Sequence, residues 1–280
     1  LQTNAFGSGD KTPSFARITG RCQVHLPFAV LLERLDWVLA NRLQPEIGLE
    51  GDTLYATPAA QFARAAAGLR QAGLGCTLHA PFLDLAPGGQ DRPILMASRH
   101  KLRLAFELIK VFQPRSIVCH LGYEDNKHDY KRETWFATAA ETWQELLPLA
   151  ARHQTIMMLE NTYETGPEMH QAMFTRLNSP YARLCLDLGH VSAFARGRWQ
   201  DWLPALDPWL GQLHLHDNHG QRDDHLPVGE GCLDFAGLFA YLHEKALNPL
   251  VTLEPHSEKD LWQTIKNLDR LGYLDTINPE

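Results

Sequence analysis

Eight short β-like runs alternate along this chain with amphipathic runs of helix length, at a spacing of roughly 30 residues. The candidate strands are 20–26, 45–49, 76–79, 116–120, 155–160, 183–187, 212–216 and 250–254. Helical patterns lie between them. In 29–41, Val30, Leu31, Leu35, Val38 and Leu39 share one face. The run 58–72 is Ala-rich, starts at Thr-Pro and stops at Gly73. Runs 91–112, 132–153 and 258–271 are similar, and the segments after the fifth and sixth strands are shorter. Such alternation lays helices over a parallel sheet, and eight units predict a single (β/α)8 TIM barrel. A doubly wound open sheet is the alternative, but sheets of that class usually stop at about five to seven strands. No Gly/Ser/Pro-rich linker divides the 280 residues. The chain therefore reads as a polar tail at 1–16 followed by one barrel domain at 17–280.

Composition narrows the function classes. Hydrophobic residues make up 44% and charged residues 21%, as in ordinary globular proteins. The formal charge is −7 and no Lys/Arg block occurs, which argues against a nucleic-acid or anionic-lipid partner. No apolar run reaches the ~18 residues that a membrane span needs. The five cysteines are odd in number and form no CxxC. Cys76, Cys119 and Cys185 sit in apolar runs and are expected to be reduced and buried. The first residues show no basic stretch followed by an apolar one, so a cytoplasmic protein is expected.

The chemistry lies in where the polar residues fall. The third strand ends in His79, the fourth in His120, the fifth in Glu160 and the sixth in Asp187, with His190 just beyond. The seventh carries His214 and His216, and the eighth ends in Glu254, with His256 close behind. The C-terminal ends of barrel strands meet around one pocket. Six successive strands each delivering an imidazole or a carboxylate is not a packing pattern, because such groups are costly in a core unless paired or metal-bound. Imidazole and carboxylate without thiolate is a ligand set for Zn²⁺, Mn²⁺, Co²⁺ or Fe²⁺. After the seventh strand a long loop carries Asp223 and His225, an Asp-x-His pair that projects to one side of an extended segment.

LHAPF at 78–82, CHLGY at 119–123, LENTYE at 159–164 and CLDLGH at 185–190 continue into HLHDN at 214–218, DDHLPVGEG at 223–231 and LEPH at 253–256. With these motifs the chain resembles the xylose isomerase-like barrel superfamily from about residue 23 to residue 271. That superfamily includes sugar isomerases, epimerases, dehydratases and the endonuclease IV group (AP endonuclease family 2). The resemblance implies that Glu160, Asp187, His214 and Glu254 hold one divalent ion, with Glu160 and Glu254 moving protons at adjacent sugar carbons. It also implies a second pattern of nine ligands for three zinc ions. In that pattern His79, His120 and Glu160 hold one ion, Glu160, Asp187, His214 and Glu254 a second, and His190, Asp223 and His225 a third. The DNA-reading segments of the endonuclease are not recognisable. The stretch Glu46–Glu50 resembles the isomerase relatives instead. Several epimerases carry an arginine aligned near Gly220, where the nearest arginine here is Arg222.

Charge counting separates the two chemistries. One divalent ion against Glu160, Asp187 and Glu254 leaves −1, which suits a neutral sugar and a spare basic carboxylate. Three ions against those three and Asp223 leave +2, which suits a phosphate ester. The leading expectation is a divalent-metal-dependent sugar or sugar-phosphate isomerase or epimerase with one to three Zn²⁺ or Mn²⁺ ions and a small-molecule substrate. The alternative is an endonuclease IV-like multi-zinc hydrolase of a phosphodiester or a phosphorylated small molecule. His25, Glu50, His216, Arg222 and His256 are the candidate substrate contacts. His100, His128, His153, His170 and His243 read as surface residues, and Trp135, Trp143, Trp199, Trp202 and Trp262 as helix packing. Pro87-Gly88-Gly89 reads as a plain tight loop rather than a phosphate cradle.

Overall fold

The computed structural model describes residues 15–277. Its eight strands are β1 (Gln23–Pro27), β2 (Gln44–Gly48), β3 (Thr77–His79), β4 (Ser116–His120), β5 (Ile156–Glu160), β6 (Ala182–Asp187), β7 (Leu210–Leu215) and β8 (Leu250–Leu253). Each pairs in parallel with the next, and β1 closes on β8 through Gln23↔Thr252 and Val24↔Leu253. The expected barrel is therefore the observed fold, and closure sets aside the open sheet. The strand bounds agree with the sequence reading to within a few residues. The largest differences are at β1, which starts later, and at β7, which starts at Leu210 opposite Leu184 where the β6–β7 register shifts. Of the expected tail, residues 1–14 lie outside the described residues, and Ala16 already begins the short helix Ala16–Thr19.

Two expected helices are interrupted. The run 29–41 is two short helices, Phe28–Glu33 and Leu35–Ala40, parted at Arg34. The run 91–112 divides at Leu108 into Arg92–Glu107 and Ile109–Phe112. Helix starts follow ordinary capping: Asp91, Asp234 and Ser257 each accept a backbone N–H from the first turn. Apolar helix faces cover the sheet, and Trp135, Trp143 and Trp202 are among the largest fully buried side chains. His170 departs from the sequence reading. It lies on the inner face of the helix Glu168–Leu177, fully buried between Phe174 and Trp202. Burial pushes its pKa down to about 4. Gly88 has no room for a Cβ, which would meet the Trp135 ring at 2.4 Å. No helix among the described residues is long and apolar enough to cross a membrane.

The barrel interior is layered. A polar belt of Glu46, Thr77, Ser116, Gln212 and Thr252 lies below the strand ends, all of it buried. Glu46 Oε2 accepts hydrogen bonds from Thr77 Oγ1 (2.9 Å), Gln212 Nε2 (2.6 Å) and Thr252 Oγ1 (3.1 Å). Above this belt stand the histidines and carboxylates of the strand ends. The loop after β7 is folded back over them by Asp217. Its main chain pairs with Leu226 in both directions at 2.8 Å. Its carboxylate accepts the N–H groups of Asn218, Gly229, Gly231 and Leu233 at 2.9, 3.0, 2.9 and 3.1 Å. A Cβ at Gly231 would lie 2.3 Å from Asp217 Oδ1, so glycine is required there. Removing these acceptors with Asp217→Ala strands several N–H groups and should lower stability by about 3 kcal/mol. Denaturant unfolding of the variant checks this, and a change below about 0.5 kcal/mol would show that the loop is held by something else.

Candidate metal and active site

Glu160, at the end of β5, is the centre of the site. One of its oxygens lies 3.2 Å from His79 Nε2 and 3.3 Å from His120 Nε2. The other lies 3.1 Å from His214 Nδ1 and 3.4 Å from His190 Nδ1. Asp187, at the end of β6, caps the helix Leu188–Ala193 by accepting the His190 N–H at 2.7 Å. Its second oxygen meets His216 Nε2 at 3.1 Å. Asp223 reaches back from the loop to His225 Nε2 (3.1 Å), His190 Nε2 (3.4 Å) and His216 Nε2 (3.6 Å). Glu254 lies 3.2 Å from His214 Nδ1 and 3.9 Å from His225 Nδ1.

These contacts bring together all nine residues that the sequence reading offered as metal ligands. Eight of them, with His216, fall into groups whose ligand atoms lie within 4.8 Å of one another: His79, His120 and Glu160; Glu160, Asp187 and His214; Asp187, His190 and His216; His216, Asp223 and His225; Glu254 groups instead with His25 and Glu46. Main-chain carbonyls hold three of the imidazoles. His79 Nδ1 is 2.9 Å from the Ala80 carbonyl, His190 Nδ1 2.8 Å from that of Asn161, and His225 Nδ1 3.0 Å from that of Glu254. A carbonyl can only accept, so each Nδ1 carries the proton, and in the neutral ring Nε2 is left as a lone pair. Those lone pairs face the carboxylates of Glu160 and Asp223. Lone pair against carboxylate is repulsive unless a proton on Nε2 or a metal ion stands between them, and the second is the arrangement of metal-ligating histidines. The donors therefore fit a divalent ion.

Without a cation the same field acts on protons. Burial pulls His190 and His214 down, but the surrounding carboxylates outweigh it and raise both well above the ordinary histidine value. His225 rises to about 9, with Asp223 and Glu254 overcoming its burial. Burial pushes Glu160, Asp187 and Asp223 up, but the imidazoles beside them hold all three below the usual carboxylate range. For His120 burial is the largest influence and lowers it.

The mouth is a cavity of about 670 Å³ lined on one side by His79, His120, Glu160, His190, Asp223 and Glu254. Its other walls are largely apolar and include Pro81, Phe82, Leu83, Ile94, Tyr163 and Phe194. Phe82 stacks on His120 at 4.3 Å, and Phe194 on His190 at 5.2 Å. His25, Glu50 and His256 line the cavity, as a substrate contact must. His216 does not stand at the rim. It is buried within the ligand cluster, stacked on His225 at 3.8 Å, and a Cβ at Gly189 would lie 1.9 Å from its ring. Arg222 is exposed and is not among the residues that line the cavity.

Sequence reasoning gave no role to Glu46, Asn161 or Glu164. Asn161 exchanges hydrogen bonds with the Asp187 main chain at 3.0 and 2.9 Å, which ties β5 to β6 at the site. Glu164 is a buried acid that accepts the N–H groups of Thr162 and Tyr123, and burial raises its pKa to about 7. The one signal for Glu46 was a lone acid inside a short strand.

Residues 44–271 match the family model described as xylose isomerase-like TIM barrel. The chain belongs to this family. It is 24% identical to an uncharacterized protein of Methanocaldococcus jannaschii over 72% of this chain and 70% of that protein. A putative L-ribulose-5-phosphate 3-epimerase of Escherichia coli is also 24% identical, over 61% of this chain and 62% of the relative. Among solved structures, a D-tagatose 3-epimerase-like protein superposes with a TM-score of 0.78 at 20% identity, covering 91% of this chain and 98% of its own. A Thermus thermophilus protein soaked with zinc chloride gives 0.73 at 21% identity, covering 90% and 97%. These likenesses confirm the fold expected from the motifs.

Zinc binding should release protons near neutral pH. His190, His214 and His225 are held protonated in the metal-free protein and must lose those protons to serve as ligands. Affinity should therefore rise with pH through the neutral range, and the share of that rise due to His225 levels off above about 9. Calorimetry in two buffers of different ionisation heat measures the release, and equal heats in both would show that the imidazoles are already neutral.

Proposed function

We propose that this protein is a divalent-metal-dependent sugar epimerase or isomerase acting on a ketose, free or phosphorylated. One observation carries the reading: Glu160 and Glu254 approach the same nitrogen, His214 Nδ1, at 3.1 and 3.2 Å, and both line the cavity. Two carboxylates that flank one point from β5 and β8 can reach a bound carbon from different sides. Glu160, Asp187, His214 and Glu254 would hold the ion, which when bound polarises the substrate carbonyl and acidifies the neighbouring C–H. One glutamate removes that proton and leaves an enediolate. The other returns a proton to the opposite face of the same carbon for epimerisation; for isomerisation the proton goes to the former carbonyl carbon while the neighbouring hydroxyl proton passes to the former carbonyl oxygen. Glu50 and His256, which line the cavity, would hydrogen-bond sugar hydroxyls. The apolar walls keep bulk water from the intermediate. The sugar 3-epimerases among the structural neighbours support the same reading.

A specific observation favours a second reading. His79 and His120 on one side, and Asp223 and His225 on the other, form ligand groups beyond those that a single ion needs. Several ions around Glu160 would suit phosphoester hydrolysis.

Incubation with a panel of ketoses in deuterium oxide is the deciding experiment. Solvent deuterium should enter the carbon next to the carbonyl. Glu160→Gln and Glu254→Gln should each slow that exchange by roughly 10²–10⁴-fold. Turnover of phosphate esters with no exchange in any ketose would replace this function with the second one.

A further inference from the structure

On the side of the barrel away from Asp187, three ligand-type groups converge that the mechanism above leaves without a common purpose. His25 and Glu46 are register partners on β1 and β2, and Glu254 follows β8, which closes against β1. His25 Nε2 is hydrogen-bonded to Glu50 Oε1 at 3.3 Å. Burial lowers the His25 pKa, but Glu46, Glu50 and Glu254 outweigh it and raise it to about 10. A carboxylate accepts, so Nε2 carries a proton, and when the ring is neutral Nδ1 is a lone pair. That lone pair faces Glu46 Oε1 at 3.7 Å and Glu254 Oε1 at 3.8 Å. Both distances are too long for a hydrogen bond. His25 Nδ1 and Glu46 Oε1 are buried with no hydrogen-bond partner, although Glu46 is fully enclosed. His214 Nε2 comes within 2.9 Å of that same oxygen without making a hydrogen bond to it. Glu46 cannot turn away, because its other oxygen is held by Thr77, Gln212 and Thr252.

Two buried carboxylate oxygens and an imidazole nitrogen converging on one place call for a positive charge there, either a proton on His25 Nδ1 or a metal ion. The three atoms lie within 4.8 Å of one another. Ligands about 2.1 Å from a tetrahedral ion stand about 3.4 Å apart, close to the two separations given above.

We propose that His25, Glu46 and Glu254 form an additional seat for a divalent transition metal, separate from the groups around Glu160. Its donor set is one imidazole and two carboxylates, with Glu50 orienting the imidazole as carboxylates orient metal-bound histidines. A fourth position is open toward the cavity, which His25 and Glu254 both line. Glu254 joins the seat to the central ligand set, since the oxygen that faces His25 is also the one near His214.

The test is ion counting, by equilibrium dialysis against Zn²⁺ or Mn²⁺ followed by elemental analysis. His25→Gln and Glu46→Gln should each bind one ion fewer per chain than the wild type, with the remaining ions retained. Asp223→Asn, which touches a different group, should lose a different ion and keep this one. Anomalous diffraction from the metal-loaded wild type should show a peak between His25 Nδ1 and Glu46 Oε1. Wild-type stoichiometry in a folded His25→Gln protein, or no anomalous peak at that position, overturns the proposal. If Glu46→Gln does not fold, His25→Gln, at the cavity edge, decides alone. The ion count does not depend on turnover, so absence of ketose chemistry would overturn the proposed function and leave this seat standing.

Discussion

The organising constraint of this molecule is the enclosure of the Glu160 carboxylate by four imidazoles at the mouth of a closed barrel. A carboxylate at 1% exposure is affordable only with positive charge beside it. Each imidazole in turn needs a second acceptor, and the search for acceptors runs outward to Asp187, Asp223 and Glu254. The mouth is thus a single electrostatic unit rather than a collection of pairs. Charge removed at one residue leaves a buried deficit at the next, so substitutions here should couple strongly.

The rest of the fold serves that unit by fixing positions. Eight parallel strands set the ligands side by side, and the register places His120 beside Glu160 and Asp187 beside His214. Asp187 both caps a helix and faces the site, so its carboxylate cannot swing out of place without uncapping that helix. Asp217 does the equivalent work for the loop, gathering four N–H groups so that Asp223 and His225 arrive over the centre.

Much of this was legible in the sequence because strand ends and ligands share one periodic pattern. His79, His120, Glu160, Asp187, His214 and Glu254 each close an apolar run, and a barrel gathers such ends. The reading was weaker where burial breaks the pattern. Seen in sequence, His216 lies beyond the matched ligand and His170 is a lone polar residue on a helix, yet both are enclosed by groups distant in sequence. Glu46 sits below the rim, and nothing in a single strand says that three other strands, β3, β7 and β8, supply its donors. Arg222 is exposed and does not line the cavity, so proximity in sequence to a ligand loop is not by itself a place at the site.

The bonds from His79, His190 and His225 to main-chain carbonyls have a consequence for how such a protein diversifies. The proton on each ring is placed by backbone, which no point substitution at the acceptor's own side chain removes. Outer residues can then change freely while the three rings keep presenting the same nitrogen inward. A lineage built this way can renew its walls and lid for a new substrate without rebuilding the centre each time.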